Sequence, residues 1–415
     1  MGGRVLDKFV DLGVSFFDED FTLDPFPYLE DLYEREEILG FRADGMNFIF
    51  RFDQALQVIR SRSCGRQPLA NAEIEARERI YAERYPNRAK NFRLSYATSS
   101  EDGQPDVRIK KLLMDFLDET AKVADFSGAE PIFERLAVGG RIDDYIESIQ
   151  TLPMRVMLET CGLPFTEEQL SDLNRAGMDV IRGLDNFVDE TPLKAADEGQ
   201  ALVWRYVEEH LDQADPEAPI RQLFEKGRSL GIDDEKLKAN IGSFLIIPLS
   251  NTAGISSGYL LRSLIRYPKV RRELAKNPAL IQDDNVITEL LRRDNHVKAL
   301  SRQVHEDFDL GRFPMQKGES IYLFFPGANL DPARWKSPLS IDLNRKFTGA
   351  NNVVFGGSAY ICIGRKLGIE FLKHMTAGFV AHLPDRARVL EDEVEADGSW
   401  VAERIITKMP VVLEP

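Results

Sequence analysis

The residue best placed to do chemistry is Cys362, in the segment Phe355-Gly-Gly-Ser-Ala-Tyr-Ile-Cys-Ile-Gly-Arg-Lys-Leu-Gly. Glycines ahead of a cysteine let the backbone turn tightly and approach a flat group. The residues after the cysteine open a helix. A sulfur at a helix N-terminus meets backbone N–H groups and the positive end of the helix dipole, which favour thiolate over thiol. Gly364 leaves room for a cofactor against that helix. These are the needs of a thiolate bound to a haem iron. A structural cysteine in a Gly-rich turn also satisfies the pattern.

Other reactive groups are sparse. Cys64 and Cys161 are the only other cysteines. No Cys-x-x-Cys pair exists, which argues against a zinc site or a disulfide framework and suits a reducing cytoplasm. His210, His296, His305, His374 and His382 are not at metal-ligand spacing, and His296 reads as a satisfied structural histidine. Glu289 and Arg292 sit one turn apart, which by itself describes a surface ion pair.

The elements that must position these groups are mostly helical. Apolar spacing predicts helices over 107–118, 142–161, 166–182, 195–213, 234–267, 285–293 and 364–383. Short helices and a strand alternate over 26–60. After residue 300, short strands around turns take over, and 404–413 reads as a closing strand. The stretch 63–106 is polar and variable, with a charged run over 73–84 that reads as a solvated helix. These elements together make a mostly α chain with a minor β-region.

Of the 415 residues, 43% are hydrophobic and 29% charged, enough for a large core, and the net charge is −15. That balance argues against general nucleic-acid binding. The N-terminus has no apolar signal core, and the densest apolar stretch, 244–249, is too short to span a bilayer. A cytoplasmic protein with no membrane partner is expected.

The cysteine segment resembles the haem-binding loop of cytochrome P450s, Phe-x-x-Gly-x-x-x-Cys-x-Gly, through Phe355, Cys362 and Gly364. Ser358 stands where that family usually has glycine, and Tyr360 where it usually has Arg or His. Further weak motifs occur in the family's order: Glu289-x-x-Arg292, then Arg302, Ala328-Asn-Leu-Asp-Pro, and Ile341-Asp-Leu-Asn-Arg345. The resemblance extends over roughly residues 24–415. The resemblance implies the cytochrome P450 fold in one domain over 1–415, with 63–106 above the pocket, and a haem b ligated by Cys362. It places Glu289, Arg292 and Arg345 in a structural role. Arg108, Lys110, Arg302, Asn352, Phe355, Gly356, Tyr360 and Gly364 become cofactor-binding candidates.

The same resemblance maps Pro248-Leu-Ser-Asn251-Thr252 onto the oxygen-activating helix, with Thr252 and Asn251 as catalytic candidates. A threonine can relay protons, whereas Asn cannot titrate in place of the family's acid. Pro248 removes a backbone N–H and is expected to open or kink the helix. Ile247, Pro248, Val297 and Lys298 are expected to line the substrate pocket, with Lys298 pairing a polar group on a small-molecule substrate. Arg365, Lys366, Lys373, Lys110 and Lys111 are expected to form a basic patch for an acidic ferredoxin or flavodoxin, because the chain carries no flavin or nicotinamide domain. The implied activity is monooxygenation of a small or medium natural product. A non-monooxygenase haem-thiolate reaction (isomerisation, dehydration, group transfer or peroxide-driven chemistry) is the alternative, and a haem-binding sensor a third.

Overall fold

The computed structural model describes residues 8–66, 79–97, 105–184, 190–250, 252–348 and 352–414. The mostly α architecture with a small β-region is as the sequence implies. A mixed sheet orders its strands β1-β2-β3-β6-β5-β4, where β1 is Phe9–Asp11, β2 Gly40–Ala43, β3 Met46–Ile49, β4 Cys64–Gly65, β5 Ala299–Val304 and β6 Ser320–Phe324. Stacked aromatics close one side of it, with Phe16 and Phe48 ring centres 4.4 Å apart. Such packing suits the pleated, half-buried surface that these residue types prefer.

Four helices matter most to the cysteine loop and the buried charges that support it, three of them packing on the fourth, which follows the loop: α1 Val107–Val123, α2 Thr252–Arg266, α3 Asp284–Arg293 and α4 Arg365–His382. In α1, Asp106 caps the first turn by accepting from the Arg108 N–H, and Ile109, Leu112, Leu113 and Leu117 bury one stripe. A side-chain cap of this kind contributes about 1 kcal/mol. The last helix, α4, packs on α1, α2 and α3 and buries Leu367, Phe371, Leu372, Met375 and Phe379.

Prolines decide where the sequence reading and the fold part. The helix expected over 142–161 is a strand, Gly140–Ile142, and two helices, Tyr145–Ile149 and Leu152–Cys161. Pro153 opens the second helix and has no N–H to continue the first. The strand expected over 404–413 is likewise two, Ile405–Lys408 and Val411–Leu413, in different sheets and separated by Pro410. The run Asp234–Arg266 is long and apolar enough to cross a membrane by composition, but 71% of its most apolar window lies inside the fold.

The segment before the cysteine loop is held by a buried ion cluster. Arg292 meets Glu289 through two bonds, at 2.7 and 3.0 Å, and Arg345 pairs with the same carboxylate at 2.9 Å. Glu289 and Arg292 are 0% exposed. The remaining Arg292 donors take the carbonyls of Asn329, Pro338 and Ser340, and the Asp342 N–H donates to Glu289. All three guanidiniums of Arg292, Arg334 and Arg345 lie 5.2–5.5 Å from the Trp335 ring centre. A pair that alone reads as a surface ion pair is a buried clamp over residues 329–345. Removing one charge from such a cluster leaves its partners uncompensated in low dielectric. Glu289→Gln is expected to lower folding stability by about 3–5 kcal/mol, read by chemical denaturation. Unchanged stability would show that the clamp does not hold this segment.

Candidate functional site

The cysteine loop is a set of tight turns. The Gly356 N–H donates to Val353 O at 3.0 Å, Tyr360 N–H to Gly357 O at 3.0 Å, and Cys362 N–H to Phe355 O at 2.8 Å. Gly356 sits at φ +71°, and a Cβ there would meet Tyr360 O at 2.8 Å. Ser358, where the resembled family has glycine, is held at φ +53°. A side chain in that left-handed region costs roughly 1–2 kcal/mol, so the glycine preference has a backbone cause and this chain carries the strain.

Cys362 has exposed surface, yet burial raises its thiol above the ordinary range. The two properties agree if that surface faces an enclosed hollow. The Gly364 N–H and the Arg365 charge act in the opposite direction and favour thiolate. Gly364 and Gly368 lie one turn apart on α4, and a Cβ at either would meet nothing within 4 Å. Two bare glycines therefore leave a flat cradle beside the sulfur.

Two cations reach the loop from different elements. Lys110, on α1, approaches Ser358 O at 3.4 Å, and burial lowers its ammonium. Arg302, on β5, lies 4.6 Å from the Tyr360 ring centre. A sulfur, a glycine cradle, a half-buried lysine and a buried arginine suit a planar metal cofactor bearing carboxylates. Phe355 packs against the main core beside them.

The wall carrying Thr252 is a broken helix. After Asp234–Ile241 come a π turn, Gly242–Ile246, and a 3-10 turn, Ile247–Ser250, before α2 begins. Pro248 has no N–H to close a regular turn, as the sequence implies. Side chains take the carbonyls that this opening exposes. Ser250 Oγ donates to Ile247 O at 2.6 Å, Thr252 Oγ1 to Pro248 O at 2.7 Å, and the Asn174 amide to Ser250 O at 2.9 Å. Phe244, Pro248 and Thr252 are each half-buried. Asn251 lies outside the described residues.

Several sequence expectations are corrected. Lys298 does not face a pocket. It is 0% exposed, and its ammonium donates to Phe16 O at 2.7 Å, Thr22 Oγ1 at 3.0 Å, and the Gly398 and Trp400 carbonyls at 3.4 Å. It also sits 4.0 Å from the Phe16 ring centre, so it ties the N-terminal segment to the C-terminal hairpin. Burial pushes this ammonium down to about 7.

Arg108 turns to solvent and pairs with Asp106. Asn352 uses its amide within its own loop, on Thr348 O and the Val354 N–H. Ile247 is buried in the main core, and Val297 is half-buried beside its bridge to Glu403. The expected basic patch is mixed rather than basic, because Lys111, Lys366 and Lys373 pair with Asp115, Asp118 and Asp284.

Sequence reasoning missed three contributors, two of which carry a signal. Gly368 and Ser256 lie four residues after Gly364 and Thr252, the spacing that puts residues on one helix face. Tyr96 carries none. It packs on Phe244 with ring centres 4.4 Å apart, and burial, with a smaller contribution from Cys362, raises its hydroxyl.

Residues 163–382, more than half of the chain, match the family model for cytochrome P450. The chain belongs to the cytochrome P450 family, whose members bind haem. It is 27% identical to "Cytochrome p450 CYP199A2" of Rhodopseudomonas palustris over 56% of this chain and 55% of that one. It is 26% identical to "Cytochrome P450 144" of Mycobacterium tuberculosis over 66% and 62%. The match thus spans less than two thirds of these relatives' length. The crystal structure of epothilone D-bound P450epoK superposes with a TM-score of 0.79 at 21% identity, over 97% and 99% of the two chains. That likeness establishes the fold.

Two substitutions separate the cradle from the Lys298 anchor. Gly368→Leu adds a side chain in open space and should leave the apoprotein at least as stable, gaining up to about 1 kcal/mol of helix propensity. Its haem uptake, read by absorbance titration, should fall roughly tenfold, about 1.4 kcal/mol. Unaltered uptake would remove the cradle. Lys298→Met should cost about 2–3 kcal/mol by leaving buried carbonyls unsatisfied, with small-molecule binding unchanged. Selective loss of binding would restore a pocket role.

Proposed function

We propose that this chain is a single haem-thiolate domain over 1–415, a monooxygenase that oxidises a small or medium natural-product-like substrate. The stretch 63–106 would border its pocket. One observation carries the reading: Cys362 is exposed beside glycines with open space over them, with Lys110 and Arg302 at the same loop. Cys362 would hold the iron of a haem b, Gly364 and Gly368 would seat the macrocycle, and Lys110 and Arg302 would meet its carboxylates. When bound, haem would supply an iron onto which the thiolate pushes electron density, favouring O–O cleavage.

The chain's own residues divide the remaining work. Pro248 and Leu249 narrow the wall beside Thr252 with apolar surface. The Thr252 hydroxyl offers the polar oxygen there, held on Pro248 O. Asn251 can orient a hydrogen bond but cannot release a proton. A natural-product substrate is supported by the epothilone D bound in a neighbour of the same fold. Electrons would come from a separate ferredoxin or flavodoxin in the cytoplasm. The mixed charge of the thiolate face favours an association only weakly sensitive to salt.

A second reading has its own support. The π and 3-10 turns at Gly242–Ser250 reshape the wall where oxygen would be handled, and the neighbouring acid is missing. A reaction needing less proton delivery, such as isomerisation, dehydration, group transfer or peroxide-driven oxidation, fits those features.

Haem-loaded protein with a ferredoxin and its reductase should consume oxygen in step with product, and Cys362→Ser should move the reduced carbon-monoxide band. Turnover independent of reductant and oxygen would establish the second reading. Reversible gas binding with no turnover under any condition would indicate a sensor. A band unmoved in Cys362→Ser would overturn the site itself.

A further inference from the structure

His296 makes a contact that its role as a structural histidine does not require. Its Nδ1 lies 2.8 Å from Ser256 Oγ, and Ser256 Oγ also lies 2.6 Å from the carbonyl oxygen of Thr252. A carbonyl only accepts, and a serine hydroxyl has one proton. Ser256 therefore donates to Thr252 O, and the imidazole must donate to Ser256 from Nδ1–H. This fixes the tautomer and leaves Nε2 as a bare lone pair, buried and without a hydrogen-bond partner.

The imidazole is neutral at physiological pH. Burial, aided by the Arg404 charge, pushes it down to about 4. Arg404 is itself fixed: its backbone N–H donates to His296 O at 2.6 Å, and its guanidinium donates to Thr22 O, Asn295 O and Leu23 O. That guanidinium lies 4.8 Å from the ring centre of Tyr259, on the same helix as Ser256. The histidine is thus backed by a fixed guanidinium and meets α2 through Ser256.

Thr252 is the first residue of α2, just past the broken turns at Gly242–Ser250. No regular helix runs into it to set its orientation. The Thr252 carbonyl belongs to the first turn of the helix, and the Ser256–His296 pair grips it. The chain of donors ends on a carbonyl, so it orients and does not relay protons.

We propose that His296 is a positioning residue, acting through Ser256 to fix the first turn of α2 and with it the Thr252 hydroxyl. This rests on the proposed placement of Thr252 at the border of the haem pocket. An imidazole with one buried nitrogen unmatched is a poor core residue, since an apolar side chain of similar size would leave no lone pair unsatisfied. Its presence is explained by what it orients.

The test uses the haem-loaded full chain, reduced under carbon monoxide, with the C–O stretching frequency read by infrared spectroscopy. Thr252→Val sets the reference shift. His296→Leu and Ser256→Ala should each shift the band in the same direction. Combining either with Thr252→Val should add nothing to that variant alone. His296→Asn keeps a donor near the Nδ1 position and should restore the native frequency. The melting temperature of His296→Leu should be unchanged or raised, which a purely structural histidine would not allow.

Additive shifts, or no shift in His296→Leu and Ser256→Ala while Thr252→Val moves the band, would overturn the inference. A silent Thr252→Val would instead remove the underlying placement of Thr252, and this inference with it. Should His296→Leu fail to take up haem, Ser256→Ala decides, because it severs the same link with a smaller change.

Discussion

One carboxylate withdrawn from water governs how the cysteine reaches its place. Glu289 pairs with both Arg292 and Arg345, and the three groups gather the backbone of residues 329–345 around Trp335. The chain then runs directly into the cysteine loop. Further ties join α3 to this exit: Asn285 accepts from the Phe347 N–H, and Asp283 pairs with Lys346. Buried charge is costly to assemble but unforgiving of partial loss. That property suits a segment whose position, more than its strength, matters to the sulfur beyond it.

The two walls of the site answer to different constraints. On the sulfur side, tight turns, positive φ values and bare glycines are demanded by the backbone path, and even Ser358 is bent to that path at φ +53°. Before α2 the helix is broken, and three of its carbonyls are taken by nearby side chains: Ser250, Thr252 and Asn174. Carbonyls satisfied in this way favour a defined shape over a frayed end.

Buried cations recur as fasteners across the molecule. Lys298 joins the N-terminal segment to the C-terminal hairpin, and Arg404 ties residues 22–23 to the segment preceding β5. Both face neutral oxygens, mostly carbonyls, rather than carboxylates. Carbonyl acceptors satisfy the donors without importing a second charge that must also be desolvated. This leaves the acidic surplus of the sequence for the surface, where it meets the lysines on the thiolate side.

The sequence by itself determined the chemistry-bearing loop, the helices with strong apolar period, the break at Pro248 and the family. These are local properties, written in residues a few positions apart. Tertiary structure alone decided that Glu289 serves Arg345, that Lys298 points away from a pocket, that Arg108 turns outward, and that His296 grips α2 through Ser256. The histidine and lysine pairings join residues 40 and 282 positions apart, and the side a strand residue faces reverses with a single step of register. No local pattern carries that information, because it is fixed only when the sheet, the clamp and the helices close on one another.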